Sequence, residues 1–309
     1  MVGSNIKVIV VLTSSTAAML LFGGWYHYHS KDGVHNKFKL PAGRITMKVA
    51  DVYIPGSCQH PETTLKMDLV IIPYFVHATA SEKALRDREK EYMTALQRNL
   101  NHNFVRRIHL LTTNAKEAAQ RLERFKLSNQ SKLLTIEVTG IEHTRYAFDY
   151  ISQNLVGKDV MFVNADNYLG SGFDRVDPAV MCENKIMYAL TRRANKEETP
   201  CEKKDFCVDQ RYAGSHDAFL FHLAEPIPES ALKHLDFPHP SAGMDNVIIW
   251  VFEKKLKYCV LNPCAILEAF HLHCAGLRSY RHNPRVNNAN NTGWSPFTKK
   301  LVCNSSHHG

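Results

Sequence analysis

Between residues 67 and 163 the apolar positions follow two rhythms that alternate along the chain. Residues 69–75, Leu69-Val-Ile-Ile-Pro-Tyr-Phe75, form a continuous apolar run that predicts a strand, with Pro73 marking its exit. Residues 81–99 then read as a helix: Ser81 caps it, Glu82 lies in the first turn, and Leu85, Tyr92, Leu96 and Leu100 recur at helical spacing. The same alternation predicts a strand over 105–112, a helix over 115–126, a strand over 133–138 and a helix over 146–155. Residues 160–163, Val-Met-Phe-Val, form a fourth strand, apolar at every position as in a sheet covered on both faces. Four strands alternating with three helices predict an α/β domain with a mostly parallel central sheet, flanked by helices and joined by right-handed crossovers.

Beyond Gly170 the regularity loosens. Residues 186–191 predict a short strand ending in Arg192-Arg193, and a charged, cysteine-containing loop occupies 194–212. Another strand falls within 214–222. A buried helix is expected over 242–252, with Asp245 near its start. Residues 282–309 are Asn-rich and poor in apolar residues, which predicts a loosely ordered polar tail.

The N-terminus sets an expected compartment. Residues 8–25 are apolar except for Thr13-Ser-Ser-Thr16 and end in Trp25-Tyr26, an aromatic pair suited to a membrane interface. The run just reaches the about 20 residues a membrane span needs. A single-span anchor with the bulk of the chain in a lumen is the expectation, with a cleaved signal peptide as the rival. Residues 31–60, polar with Gly, Pro and His, read as a stem. The eight cysteines are an even set, compatible with disulfides in an oxidising compartment. The sequons at Asn129, Asn290 and Asn304 agree with that compartment. Cys201 and Cys207, flanking one short loop, are expected to form a local bridge; zinc held by Cys259, Cys264, His271 and His273 is a rival use of cysteine. A net charge of +8 suits an anionic ligand. No arginine-rich helix or basic-aromatic interleaving points to nucleic acid.

Candidate chemistry gathers at the end of the fourth strand. Val163-Asn-Ala-Asp166 brings Asn164 and Asp166 out at a carboxyl edge, where ligands of open α/β sheets bind. Oxygen ligands there can hold a divalent cation that clamps a diphosphate; an ordinary Asn/Asp turn is the alternative. His271 and His273 share one face if their segment is extended, so that one can complete a metal shell with Asp166. Asp245 and Asp217 are candidate catalytic carboxylates, although Asp245 equally suits a helix start for its interaction with the dipole. Arg192, Arg193 and Arg278 can neutralise diphosphate oxygens, or simply be surface charges.

Taken in order, these short motifs resemble the GT-A-fold glycosyltransferases. The set comprises the strand at 69–75, Glu91 through Asn99-Leu100, Val163-Asn-Ala-Asp166, Ala189-Leu-Thr-Arg192, Ser215-His-Asp217, Gly243-Met-Asp-Asn246, Asn262-Pro263, and His271-Leu-His273 with Arg278-x-Tyr280. The resemblance implies a single Rossmann-like domain over 63–281, behind a cytoplasmic tail (1–7), a signal-anchor (8–28) and a stem (29–62), in a type II protein of the Golgi or ER membrane. It implies Mn2+ or Mg2+ and a UDP- or GDP-linked sugar donor, with a glycan or glycoprotein as acceptor. Asp166 would bind metal and donor diphosphate, His271 or His273 would add a metal ligand, and Asp245 would serve the acceptor side. One departure stands out: such loops usually read Asp-x-Asp, and here the first position is Asn164, which keeps an oxygen but loses a charge. A catalytically silent nucleotide- or glycan-binding relative is therefore the alternative. A luminal metal- or glycan-binding module and a soluble nucleotidyltransferase are further rivals, the last disfavoured by the anchor and sequons.

Overall fold

The computed structural model describes residues 58, 63–73, 81–194, 205–207, 215–275, 277 and 283–303. The expected anchor and almost all of the stem lie outside the described residues, as do Arg278, Cys201 and the sequon at Asn304. No helix among the described residues is long and apolar enough to cross a membrane.

The first half of the domain follows its apolar rhythm. Strand β1 (Met67–Ile71), helix α1 (Glu82–Asn101), β2 (Val105–Thr112), α2 (Ala115–Glu123), β3 (Leu133–Glu137), α3 (Thr144–Asn154) and β4 (Lys158–Val163) succeed one another. Local chemistry sets the helix starts: Ser81 Oγ accepts from Ala84 N at 3.3 Å, and Asn114 Oδ1 accepts from Glu117 N at 3.0 Å. After the short strand β5 (Asn167–Leu169) come α4 (Pro178–Glu183), β6 (Ile186–Leu190), β7 (Ala218–Leu223), α5 (Glu229–Leu232), α6 (Met244–Trp250), β8 (Cys259–Leu261) and β9 (Ala269–His271). Helix α6 runs on into a π-helical turn, Val251–Lys255.

The central sheet has seven strands in the order β3-β2-β1-β4-β7-β6-β8. Its pairings are parallel except at β7, which runs antiparallel between β4 and β6. Apolar side chains on both faces of the strands bury it. On β4, Val160 and Phe162 join one core layer with Phe148 and Phe252, while Met161 and Val163 join the opposite layer with Leu96 and Leu100. From β1 the chain winds outward through β2 to β3, then returns to place β4 on β1's other side. That reversal leaves a crevice beyond the carboxyl ends of β1 and β4.

A two-stranded sheet, β5 against β9, roofs the edge of this crevice, with Asn167 paired to His271. Helix α1 supports it through Asn99, a fully buried side chain. Asn99 donates to the Asn167 carbonyl at 2.9 Å and accepts from Leu169 N at 3.0 Å. The backbone of β5 thus finds on α1 the partners it does not have in the main sheet.

Two expectations are corrected. The tail is not loose: over 283–303 it is pinned by the Cys259–Cys303 disulfide and by backbone bonds such as Thr298 N to Asn262 O at 3.1 Å. Polar backbone and cysteine hold it where apolar residues are few. Cys207 does not bridge locally to Cys201 but joins Cys264, and Cys58 joins Cys182. With Cys264 and Cys259 both in disulfides, the zinc arrangement with His271 and His273 has no thiolates left to it.

Asn99→Ala removes both bonds and leaves two buried backbone groups unpaired, so it should cost about 2–3 kcal/mol in urea unfolding. A loss below about 0.5 kcal/mol would show that α1 does not hold β5 in this way.

Candidate functional site

Beyond the β1 and β4 carboxyl ends lies a cleft of about 410 Å³. Asp166 sits at its base in a tight turn, with Asn167 N bonded to the Asn164 carbonyl at 3.0 Å. Its own carbonyl accepts from Leu272 N at 2.8 Å, so the segment after β9 is fixed directly against the turn. Leu272 turns into a small apolar cluster, while its neighbours His271 and His273 both turn to the Asp166 carboxylate. His271 Nε2 is 3.1 Å, and His273 Nδ1 3.6 Å, from Asp166 Oδ2.

One ligand atom from each of these three residues lies within 4.8 Å of the others, and among the described residues they are the group of three that could hold a metal ion. His273 Nε2 is buried with no hydrogen-bond partner among the described residues. One carboxylate and two imidazoles, with an uncommitted buried nitrogen, fit a first-row divalent ion such as Mn2+. They suit Mg2+ less, since Mg2+ takes oxygen ligands. Burial alone would raise the Asp166 carboxyl, but His271, His273 and Arg88 outweigh it and hold it well below the usual range.

Arg88 is the residue that the sequence reading passed over. It is buried on α1, and its guanidinium is committed on several sides. Nη2 donates to Asp166 Oδ2 at 2.5 Å, Nη1 to Glu91 Oε2 at 2.7 Å and to the Leu272 carbonyl at 3.2 Å, and Nε to the Tyr92 hydroxyl at 3.2 Å. Glu91 completes the clamp by accepting from Cys274 N and Ala275 N at 2.5 and 2.7 Å. A signal was present: Arg88 falls between Leu85 and Tyr92, on the apolar stripe of α1, where a charge must find a partner.

Across the cleft the remaining carboxylates occupy different environments. Asp217, just before β7, receives Arg192 Nη1 at 3.1 Å on Oδ2 and at 3.3 Å on Oδ1. The Asn164 amide donates to Asp217 Oδ1 at 3.1 Å. Phe206, carried by the loop that the Cys207–Cys264 disulfide ties down, covers the Arg192 guanidinium at 4.2 Å. Asp245, in the first turn of α6, accepts from His216 N at 3.0 Å. Burial pushes its carboxyl up to about 6, with the charge of Asp217 adding to the rise. His239 also lines the cleft, and burial lowers it to about 4, which leaves a neutral ring at pH 7.

The fold therefore brings Asn164, Asp166, Arg192, Asp217, Asp245, His271 and His273 to one cleft. Arg193 turns instead to Asp205 and Glu268. Arg278 lies outside the described residues.

No family model matches the sequence, and no curated protein matches it. Solved structures with some similarity include S. aureus TarS 1-349, at 14% identity with a TM-score of 0.36, covering 59% of this chain and 53% of that one. The mannosyltransferase PcManGT from Pyrobaculum calidifontis, in complex with GDP-Man and Mn2+, is 12% identical with a TM-score of 0.43 over 74% of this chain and 61% of its own. GalNAc-T7 with UDP, GalNAc and Mn2+ is 10% identical with a TM-score of 0.39 over 72% and 45%. The chain thus spans less than two thirds of the length of each.

The Asp245 environment makes a stability prediction. Its folded-state pKa of about 6 lies above the ordinary 3.8, so ionisation opposes folding. The penalty is absent below the lower value, grows through the interval and is complete above the higher one. Asp245→Asn should therefore stabilise the protein at pH 7.5 by on the order of 1–3 kcal/mol and have little effect near pH 4, compared by urea unfolding.

Proposed function

We propose that the chain is a glycosyltransferase that moves a sugar from a nucleoside-diphosphate donor to a hydroxyl of a glycan or glycoprotein. The observation that carries this reading is the Asp166–His271–His273 cluster, set at the carboxyl end of β4 in a cleft that also holds Arg192 and a carboxylate with a raised pKa. The order of motifs along the sequence supports the same reading.

A bound Mn2+ would be held by Asp166, His271 and His273, and would supply Lewis-acid stabilisation of charge on the departing diphosphate. Arg192, fixed by Asp217, offers guanidinium N–H groups to phosphate oxygens. In the transfer, the bond from the anomeric carbon to the phosphate oxygen breaks and a bond to the acceptor oxygen forms. Asp245 takes the acceptor's proton on its carboxylate. A base with a pKa near 6 is ionised at neutral pH yet basic enough to receive that proton. His239, kept neutral, adds no positive charge beside that carboxylate.

The same reading places the protein in the secretory lumen, behind a type II anchor over 8–28. Three disulfides among the described residues, and exposed sequon residues Asn129 and Asn290, support that placement. Binding of a nucleotide without transfer is the second reading, favoured by Asn164 in the metal-binding loop.

Purified full-length chain should be stabilised thermally by one nucleoside diphosphate or its sugar, UDP- or GDP-linked, only when Mn2+ is present, and should transfer or hydrolyse that donor. Stabilisation without turnover selects the binding reading, and a folded sample that responds to no nucleotide defeats both. Asp166→Ala should abolish the Mn2+ response; its survival would remove Asp166 from the metal site. Turnover should fall as pH drops through about 6, in step with protonation of Asp245, and Asp245→Asn should lower kcat by about 10²–10⁴-fold.

A further inference from the structure

Asn164 is the position at which the loop after β4 departs from an Asp-x-Asp pattern, and the sheet supplies a reason. β4 and β7 are antiparallel with Val163 opposite Ala218. One step further along the same ladder, Asn164 N donates to the Asp217 carbonyl at 3.1 Å. Asn164 and Asp217 are therefore directly opposed, their side chains sharing a face. The Asn164 Nδ2 group donates to Asp217 Oδ1 at 3.1 Å, and Arg192 Nη1 holds the same carboxylate from its other side. Asp217 is buried, and its backbone is fixed from a third direction by its N–H to the Leu190 carbonyl at 2.9 Å.

A carboxylate at position 164 has no proton to donate in its ionised form. It would also set two like charges directly across an antiparallel pair, the arrangement that destabilises sheets. Among the described residues, Arg192 is the cation in contact with Asp217 that would then face both. With asparagine, Asp217 and Arg192 form a neutral pair whose guanidinium still lines the cleft.

We propose that Asn164 is a positioning residue that works through its amide N–H, holding Asp217 and, through it, Arg192. An aspartate at 164 weakens the site rather than restoring it. The inference deepens the transferase reading and rests on it for the ligand, a nucleoside diphosphate with Mn2+. The ladder contact itself does not depend on that reading.

The test uses the full chain and four variants: Asn164→Ala, Asn164→Asp, Asp217→Asn, and the exchange Asn164→Asp with Asp217→Asn, in which amide and carboxylate change places across the ladder. Melting temperature without ligand is measured first, then affinity for UDP and GDP with Mn2+ by calorimetry. Asn164→Ala should bind more weakly than wild type. Asn164→Asp should be worse again, by about tenfold or more in affinity and with the lower melting temperature of the two. The exchange variant should recover much of both losses, an outcome that a merely space-filling asparagine would not produce. Asn164→Asp matching or exceeding Asn164→Ala, or an exchange no better than its worse parent, overturns the proposal. If wild type binds neither nucleotide, the transferase reading fails, and the order of the five melting temperatures still decides the role of Asn164.

Discussion

A guanidinium buried beside an open cleft has to be compensated, and the way Arg88 is compensated fixes most of what surrounds it. Two carboxylates, one carbonyl and one phenol accept its hydrogen bonds. They come from its own helix, from the turn after β4 and from the segment after β9. Removing one partner of such a buried pair typically costs about 3–5 kcal/mol, because the charge left behind has no solvent to turn to. The three pieces are thus held in one arrangement by electrostatics that none of them could satisfy alone. His271 and His273 reach Asp166 because the backbone around them is bonded to Arg88 through Leu272 O and to Glu91 through Cys274 N and Ala275 N.

Within the cleft that this clamp stabilises, environment assigns different tasks to like groups. Asp166 faces three nitrogen-bearing side chains that keep its carboxyl ionised far below the usual range, as a ligand for a cation requires. Among the described residues Asp245 has backbone N–H groups to offset its burial and a second carboxylate near by, and burial pushes its carboxyl up to about 6. Two carboxylates with separated pKa values are the arrangement that lets one cleft hold charge at one place and accept a proton at another.

How much of this the sequence showed depended on whether the deciding interaction was local. The strand over 105–112 and the first three helices could be placed because their apolar spacing, and for α1 and α2 a side-chain cap, lies within each segment. The carboxyl end of β4 was located for the same reason. The direction of β7 was not available: Ala-Phe-Leu-Phe has the same apolar content whichever way it runs, so the opposition of Asn164 to Asp217 was invisible. Arg88 broke the stripe of α1, but its partner lies 78 positions further along the chain. Cysteine pairing failed for a similar reason, since closeness in sequence favoured Cys201 for Cys207 while the fold put Cys264 there.

The C-terminal stretch shows what composition misses when polar groups are satisfied by the chain itself. Residues 283–303 carry few apolar side chains, yet Gly293 lies so close to α6 that a β-carbon there would sit 2.5 Å from Trp250 N. Asn246 grips Gly293 from both ends, its carbonyl accepting from Gly293 N at 2.9 Å and its amide donating to Gly293 O at 3.0 Å. Two residues on, the Ser295 carbonyl accepts from His216 Nε2 at 3.3 Å. Asn246 adjoins Asp245 in sequence, and His216 donates its own N–H to the Asp245 carboxylate. The polar strap therefore grips the residues on either side of the proposed base. A segment whose composition suggested a loose tail is part of what holds a destabilised carboxylate in place.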